Sequence, residues 1–294
     1  MGEAAARALS ARCISHRFVI VSGAHRNGSA GPSLSPDQAR SWGETLTDSA
    51  LRGPATADRY SLPRTLFRKF VHWASHTFIL SSKRTRRTRV GDVVLEVPPS
   101  VFHPGVFVTS GMFAAHLRRL DLRGKRAVEI GTGSGILALS AALAGADKVV
   151  ALDINPNAVH AARINAATNG VADRVEARLS NLFSAVTPDE RFDLIISSPP
   201  SFAGEPVDIA DHAWVAGPGY CHLRDLFGSA RRHLATGGEM LLLLSSDTNI
   251  PLLRAWAQEA GFSWQQIEEK SILIEKFVIF RLHAGEAAAV TARR

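Results

Sequence analysis

One stretch of ten residues, Ala127 to Ile136, constrains the fold of this chain more than any other. Its sequence, AVEIGTGSGI, is an apolar, β-branched run that leads into three glycines at alternate positions, and an apolar segment to Leu143 follows. This order predicts a strand, a tight turn and a buried helix. Glycine lets backbone N–H groups approach a ligand closely, and a helix N-terminus offers unpaired donors with a partial positive charge. We expect an anionic or polar ligand group at this turn.

A second predicted strand, Lys148 to Asp153, ends in an acid. In a βαβ unit, an acid about twenty residues after the glycine turn accepts hydrogen bonds from ribose hydroxyls. The glycine spacing then discriminates between nucleotide-like ligands. The dinucleotide pattern G-x-G-x-x-G requires a third glycine at the position of Ile136, whereas the third glycine here, Gly135, comes one residue earlier. The spacing therefore disfavours a nicotinamide dinucleotide.

The pattern E-x-G-x-G-x-G over Glu129 to Gly135 resembles the first motif of class I S-adenosylmethionine-dependent methyltransferases. The stretch Val101 to Ser110 is similar to the segment before that motif in the methyltransferase small domain group. This group includes release-factor and ribosomal-protein methyltransferases and ribosomal RNA guanine methyltransferases. The resemblance covers residues 92 to 283 and implies an enzyme with S-adenosyl-L-methionine as its cofactor.

The resemblance also implies which residues bind the methionine end of this cofactor. Gly131, Gly133 and Gly135 are expected around the methionine moiety, and Glu129 is expected near its ammonium group. Thr109 belongs to the segment that closes over the same end in the family. These five residues are therefore candidate ligands of the methionine moiety.

Two further residues are candidate ligands of the nucleoside. Asp153 corresponds to the family's acid that binds both ribose hydroxyls. Asn181 stands where the family often has an acid that accepts a hydrogen bond from the adenine amino group. An amide oxygen can accept that bond as well, so the substitution is compatible with adenine binding.

A second motif, Ser198-Pro199-Pro200, follows the predicted strand Phe192 to Ile196. It resembles the (Asn/Asp/Ser)-Pro-Pro-(Tyr/Phe/Trp) motif of methyltransferases that act on planar nitrogens. In that arrangement a side-chain acceptor and the first proline carbonyl bind the two N–H groups of an amide or amine, which points the nitrogen lone pair at the methyl group. Orientation of this kind can contribute ~7–11 kcal/mol to catalysis. The candidate catalytic residues are Ser198, Pro199, Pro200 and Phe202.

This motif departs from the commonest form of the family in two ways. Ser198 replaces the more usual Asn, and Ser201 lies between the prolines and Phe202. The acceptor therefore stays open between a ribosomal or transfer RNA base, a protein side chain and a small molecule. The long loop from Gly204 to Tyr220 is predicted to form a lid over the acceptor, and its His212 is either a general base or a solvated side chain.

Strands that alternate with helices predict an α/β fold with a doubly wound, mostly parallel, seven-stranded sheet, as in Rossmann-like methyltransferases. The last two strands have no helix between them, which predicts an antiparallel edge hairpin. A short strand is also predicted at Phe107 to Thr109, with Ser110 as the N-cap of a helix over Met112 to Leu120. A later helix, Leu223 to Leu234, is predicted to stop at Gly237-Gly238.

Three segments are predicted along the chain. Residues 1–58 form a disordered tail, residues 59–90 a basic amphipathic segment, and residues 91–294 the methyltransferase domain, with its core at 121–283. The basic segment carries nine Lys or Arg and no Asp or Glu, which exceeds the whole net charge of +7. Either it packs its apolar face on the domain with its charges in water, or it binds nucleic acid or an anionic membrane surface.

Composition limits the remaining alternatives. Two cysteines with no metal or redox spacing favour a reduced, cytoplasmic setting, no residue pattern indicates a metal, and no apolar run is long enough to span a membrane. Nothing in the sequence indicates the oligomeric state. The leading hypothesis is a methyltransferase that acts on nitrogen of a macromolecule. A small-molecule methyltransferase, a nicotinamide-dependent oxidoreductase and a non-catalytic cofactor-binding subunit are the alternatives.

Overall fold

The computed structural model describes residues 84–104, 108–272 and 275–285, so the predictions for residues 1–58 and 59–83 lie outside the described part. The strands there are β1 (Arg86–Val90), β2 (Val93–Val97), β3 (Arg126–Ile130), β4 (Lys148–Asp153), β5 (Val175–Leu179), β6 (Phe192–Ser197), β7 (Leu234–Ser245), β8 (Gln265–Ile272) and β9 (Glu275–His283). The helices are α1 (Val108–Leu117), α2 (Ile136–Leu143), α3 (Pro156–Thr168), α4 (Cys221–His233) and α5 (Ile250–Glu259).

Seven of these strands form one sheet in the order β5-β4-β3-β6-β7-β9-β8. The first five of that order are parallel, and β9 runs antiparallel to both β7 and β8. The predicted mostly parallel, doubly wound sheet with an antiparallel edge hairpin is confirmed. After β3 the chain adds β4 and β5 on one side and then β6 on the other. This reversal opens a crevice at the carboxyl ends of β3 and β6, where ligands bind in such sheets.

The central strands are buried on both faces, which explains why their sequences are mostly apolar. On one face Val149 and Leu194 pack among residues of α1, α2 and α3. On the other face Val150 and Ile195 pack among residues of α4 and α5. The sheet is therefore covered by helices on both sides, and its carboxyl edge is fixed between two cores.

The hairpin of β1 and β2 lies outside this sheet and is held by α3. Asn165 accepts a hydrogen bond from the Glu96 N–H (2.7 Å) and donates one to the Glu96 carbonyl (2.9 Å). Asn169 does the same at Val94, with distances of 3.0 and 2.7 Å. Two side chains one helical turn apart thus satisfy the edge of β2 that faces away from β1. A domain boundary at residue 91 would separate β1 from β2.

The structure corrects two local predictions. Val108 and Thr109 begin α1, so the predicted strand there is wrong, and Ser110 lies inside the helix instead of capping it. The pair Gly237-Gly238 lies within β7 instead of ending a helix, because α4 already ends at His233. A Cβ on Gly238 would approach the backbone oxygens of Phe192 and Asp193 to 3.0 Å. Glycine is required there for the close passage of β7 along β6, where the strand register shifts.

Candidate active site

A cavity of about 500 Å³ opens at the carboxyl ends of β3, β4, β6 and β7. Two of the motifs predicted from the sequence, the glycine turn and the diproline, both line it, at the ends of the neighbouring strands β3 and β6. Every predicted site residue except Gly135 lines this cavity: Thr109, Glu129, Gly131, Gly133, Asp153, Asn181, Ser198, Pro199, Pro200 and Phe202. The sheet therefore brings together residues up to 93 positions apart in sequence.

The glycine turn is held against the end of β4. Both Gly131 and Thr132 donate backbone hydrogen bonds to the Leu152 carbonyl, at 2.9 and 3.0 Å. Gly131 and Gly133 have φ angles of +77° and +53°, which side-chain-bearing residues seldom adopt. A Cβ on either would meet no atom within 4 Å, so their backbone lies open to the cavity. The turn has the exposed backbone that close approach of a ligand requires.

Gly135 is placed differently from Gly131 and Gly133. It is not among the residues that line the cavity; it caps the N-terminus of α2 with φ +85°. A Cβ there would lie 3.0 Å from the Ala162 Cα of α3. Gly135 therefore permits close packing of α2 on α3, the packing function that the third glycine has in the dinucleotide pattern.

Glu129 is almost completely buried beside the turn. Its Oε2 accepts hydrogen bonds from the Thr132 hydroxyl (2.6 Å) and the Ala138 N–H (2.9 Å). Burial raises the pKa of Glu129 to about 8, against the effect of these two donors, and the nearby Asp153 raises it further. Because burial opposes ionisation, a cation in the cavity would stabilise the ionised form. This arrangement fits the ammonium group predicted at Glu129.

Asp153 connects the turn to the start of α3. Its Oδ2 accepts a hydrogen bond from the Gly133 N–H (2.8 Å), and its Oδ1 accepts one from the Asn155 N–H (2.9 Å). Burial raises its pKa, and these backbone donors act in the opposite direction. A carboxylate has about four acceptor sites, so two hydroxyl donors can still bind. The geometry fits a pair of ribose hydroxyls.

The turn after β5 forms the next part of the cavity wall. Leu182 has φ +49°, a strained conformation for a residue with a side chain. The Ser180 hydroxyl stabilises it by donating to the Leu182 carbonyl (2.7 Å) and accepting from the Ala185 N–H (3.0 Å). This turn places Asn181 and Leu182 at the cavity, where the sequence predicted an adenine site.

Another part of the wall is the diproline motif at the end of β6, the strand beside β3. The Ser197 hydroxyl donates to the Ile130 carbonyl (3.1 Å), which ties the end of β6 to β3. Further on, Phe202 pairs with the loop by backbone hydrogen bonds, from its own N–H to Trp214 (3.1 Å) and from Ala216 to its carbonyl (2.8 Å). The Tyr220 hydroxyl donates to the Ser201 carbonyl (3.2 Å). The motif is thus fixed at both ends.

Aromatic rings from three segments meet at this wall. Phe202 stacks on Trp214 at a centroid distance of 6.1 Å and an interplanar angle of 13°. Phe102, from the segment after β2, meets Trp214 edge-on at 5.6 Å. His212 also lines the cavity, and its ring stacks with that of His222 at 6.0 Å. The loop predicted as an acceptor lid therefore does supply part of the cavity wall.

Two acids at the cavity were not predicted from the sequence. Asp247 follows β7 and Glu275 begins β9, and both line the cavity. They are joined by the Ser245 hydroxyl, which donates to Glu275 and accepts from the Asp247 N–H (2.9 Å). Asp247 follows β7 at the carboxyl edge of the sheet, which was the available signal. Glu275 reaches the same edge only because β9 is antiparallel. With Glu129 and Asp153, the described residues that line the cavity include four carboxyl groups and no Lys or Arg.

Within the described residues there is no group of side chains suited to a metal ion, and no helix long and apolar enough to cross a membrane. The hydrogen-bond acceptors and exposed backbone of the cavity are those that a nucleoside with a cationic amino acid end requires. The residues present therefore fit the cofactor that the sequence predicted.

Comparison with known proteins identifies the family of this chain. The ribosomal protein L11 methyltransferase (PrmA) family matches residues 70–198. The ribosomal protein L11 methyltransferase of Deinococcus radiodurans is 30% identical over 226 residues, which are 76% of this chain and 73% of that protein. The enzyme of the same name from Tolumonas auensis is 44% identical over 86 residues, 29% of this chain and 30% of that protein.

Solved structures with the same fold include two RNA methyltransferases. The 16S rRNA N2 G1207 methyltransferase of T. thermophilus has a TM-score of 0.50 and 22% identity, and the match covers 67% of this chain and 49% of that one. The tRNA m1G37 methyltransferase of M. jannaschii has a TM-score of 0.51 and 15% identity, over 70% and 58% of the two chains. These likenesses concern the fold alone. By its sequence, the chain belongs to the ribosomal protein L11 methyltransferase family and is an S-adenosylmethionine-dependent methyltransferase.

Proposed function

We propose that this enzyme transfers the methyl group of S-adenosyl-L-methionine to a nitrogen atom of a protein, ribosomal protein L11 or a protein like it. The observation that carries the proposal is that Ser198-Pro199-Pro200 and the glycine turn line one cavity. The names of the relatives indicate the acceptor. The diproline would orient the acceptor nitrogen, and the turn would hold the methyl donor.

Bound S-adenosylmethionine supplies a methyl group on a positively charged sulfur. Glu129 and the backbone of Gly131 and Gly133 would bind its amino acid end, Asp153 its ribose, and Asn181 its adenine. These residues hold the donor on the β3–β4 side of the cavity. The acceptor would then bind on the β6–β7 side, which is bounded by Ser198, the aromatic rings, and Asp247 and Glu275.

The charge of the cavity supports a cationic acceptor. Asp247 and Glu275 are the two lining carboxyl groups not assigned to the cofactor. With no Lys or Arg among the described lining residues, they favour an amine over a phosphate-bearing substrate. The protonated amine must first lose a proton, so that its lone pair can attack the methyl carbon. The new C–N bond forms as the C–S bond breaks and its electron pair stays on sulfur. Overall, one proton is released and the N-methylated amine keeps its positive charge.

The test is transfer of a labelled methyl group from S-adenosylmethionine to separated ribosomal proteins, ribosomal RNA and small molecules. We expect the label on protein, at an amine that mass spectrometry identifies. Ser198→Ala should lower kcat at least tenfold and leave cofactor affinity unchanged, because the defect lies in orientation. Ser263→Ala, at an exposed serine remote from the cavity, is the control. Label in RNA or small molecules alone would overturn the proposed acceptor.

A further inference from the structure

The segment between the β1–β2 hairpin and α1 forms one side of the cavity, and its conformation is strained. Ser100, Val101 and Phe102 all line the cavity. Ser100 has φ +63°, which a residue with a Cβ seldom adopts. Strain of this kind persists only where the surroundings enforce it. The surroundings of Ser100 should therefore contain a group that holds this segment.

That group is Asn155, which is 5% exposed and lies two residues after Asp153. Its Nδ2 donates to the Ser100 carbonyl at 2.8 Å and reaches the Ser100 hydroxyl at 3.2 Å. Its Oδ1 accepts from the Asn157 N–H (3.0 Å) and so caps α3. Asn157 adds a second, exposed contact, from Nδ2 to the Ser100 hydroxyl at 3.1 Å. Ser100 is thus held from the N-terminus of α3.

Asn155 contacts both sides of the cavity at once. Its own N–H binds the Asp153 carboxylate, the predicted ligand of the ribose. Through Ser100, its side chain fixes Phe102, whose ring packs on Trp214 in the loop beside the diproline. The backbone contact to Asp153 survives any change of side chain, whereas the contact to Ser100 does not. Loss of the Nδ2 donor should therefore affect the acceptor side more than the cofactor side.

We propose that Asn155 is a positioning residue that holds segment 98–104 against the cavity and thereby sets the acceptor wall relative to the bound cofactor. The consequence for catalysis rests on the proposed function, because it takes this cavity as the site of methyl transfer. The effect of Asn155 on the order of segment 98–104 is independent of the proposed function. The effect on the segment and the effect on catalysis can therefore be measured separately.

Asn155→Asp is the decisive variant. An aspartate keeps the oxygen that caps α3 but replaces the Nδ2 donor with a second acceptor opposite the Ser100 carbonyl. Asn249→Asp is the matched control, since Asn249 caps α5 in the same way, by accepting from the Leu252 N–H (3.3 Å). Asn157→Ala removes the exposed contacts of Asn157 Nδ2 to the Ser100 hydroxyl and the Pro99 carbonyl (3.4 Å), and it serves as a milder variant should Asn155→Asp fold poorly.

The first measurement is amide hydrogen exchange of peptides that cover residues 98–104. We expect Asn155→Asp to raise their exchange rate at least fivefold, Asn157→Ala to raise it less, and Asn249→Asp to leave it unchanged. Equal exchange in wild type and in both segment variants would overturn the proposal. This result does not depend on which acceptor the enzyme uses.

The second measurement is kinetic, with labelled methyl transfer to purified ribosomal protein L11 or to whichever lysate fraction accepts the label. We expect Asn155→Asp to lower kcat/KM for the acceptor at least tenfold, with the melting temperature kept and the Kd for S-adenosylmethionine within threefold of wild type. If Asn155 had only a structural role, the substitution would change the melting temperature and the binding of both the cofactor and the acceptor together. Faster exchange with unchanged methyl transfer would show that the segment is not a positioning element.

Discussion

Single residues at this cavity serve both the fold and the ligand. Asp153 orders the glycine turn through the Gly133 N–H while its remaining acceptor sites face the cavity. Glu129 fixes the start of α2 through the Ala138 N–H and lines the same cavity. Substitutions at such residues change stability and binding together. Experiments at the residue scale must therefore separate these two effects, and pH offers one way.

Glu129 predicts a pH dependence of stability. Its pKa is about 8 in the folded chain, compared with an ordinary value of 4.5. Between these values the unfolded chain loses its proton first, so the folded state binds more protons and the free energy of unfolding falls as pH rises. Glutamine keeps the acceptor oxygen but cannot ionise. We therefore expect the melting temperature of Glu129→Gln minus that of wild type, measured without cofactor, to increase as pH rises from 6 to 8.

The difference in melting temperature between wild type and Glu129→Gln isolates Glu129 from other titrating groups. Burial, with a smaller contribution from Arg86, lowers the pKa of His103, so its contribution to stability is lost as pH falls through the ordinary value of 6.5. That effect has the opposite sign and is common to both proteins. Glu259→Gln, at an exposed acid on α5, is the control. A difference that stays constant from pH 6 to 8 would contradict the assignment.

At the scale of elements, α3 organises the hairpin, and Asn165 shows how much depends on it. This fully buried side chain bonds both backbone groups of Glu96 and donates to the Ser134 carbonyl at 2.8 Å. Asn165→Ala leaves the buried Ser134 carbonyl without this partner, at a cost of ~1–3 kcal/mol. The two part-buried groups of Glu96, which water can reach, add a smaller cost. We expect the free energy of unfolding to fall by about 2–4 kcal/mol in urea titration.

The control for this prediction lies on the same helix. His160 is exposed on α3, so His160→Ala alters the helix without touching the hairpin. We expect its effect to stay within about 0.5 kcal/mol. If Asn165→Ala were equally mild, water would have to replace the lost bonds, and the hairpin would not depend on α3.

Elements that arise from local pattern were predictable. The runs in β3, β4 and β6 are apolar because both faces of the sheet are covered, and that pattern alone indicated the parallel sheet. Features that join distant segments were not predictable. Asn165 and Glu96 lie 69 residues apart, and nothing in a helical sequence shows which strand edge it will meet. Glu275 reaches the cavity only because β9 is antiparallel, so that its first residue lies at the carboxyl edge of its parallel neighbours.

Local pattern also led to a wrong prediction at the start of α1. The β-branched residues Val108 and Thr109 favoured a strand. In the structure they form the first turn of α1, whose later residues Phe113 and Leu117 are fully buried against the sheet. Tertiary packing of the whole helix thus outweighs the propensity of its first two residues. The same packing brings Thr109 to the cavity, as the family resemblance implied.

At the scale of the whole molecule, charge is separated. The cavity is lined by acids, while nine Lys or Arg and no acid lie between Arg59 and Val90. An acidic cavity suits a cationic amine, and a basic segment suits a polyanion. The two preferences are compatible if the acceptor is a protein that is presented on RNA. The basic segment would then contribute to docking and not to chemistry.

This separation leads to a prediction for truncated chains. A chain that begins at Arg84 keeps β1 and its pairing with β2, whereas one that begins at Gly91 would lose β1. Beginning at Arg84 removes five of the nine bases, and a chain that begins at Arg59 keeps all nine and serves as the control. We expect all three proteins (full length, from Arg59 and from Arg84) to bind S-adenosylmethionine equally. Only the chain from Arg84 should lose most of its affinity for single-stranded ribosomal RNA.

The salt dependence of RNA binding tests whether the lost affinity comes from contacts between these bases and phosphates. Each phosphate contact contributes about 0.7 to the slope of log affinity against log salt for single strands, so five lost bases should reduce that slope by at most about 3.5. The chain from Arg59 should keep the full slope. If the chain from Arg84 binds RNA at low salt as tightly as the full chain, the bases from Arg59 to Lys83 do not contact phosphate. The segment would then be an apolar face packed on the domain with its charges in water.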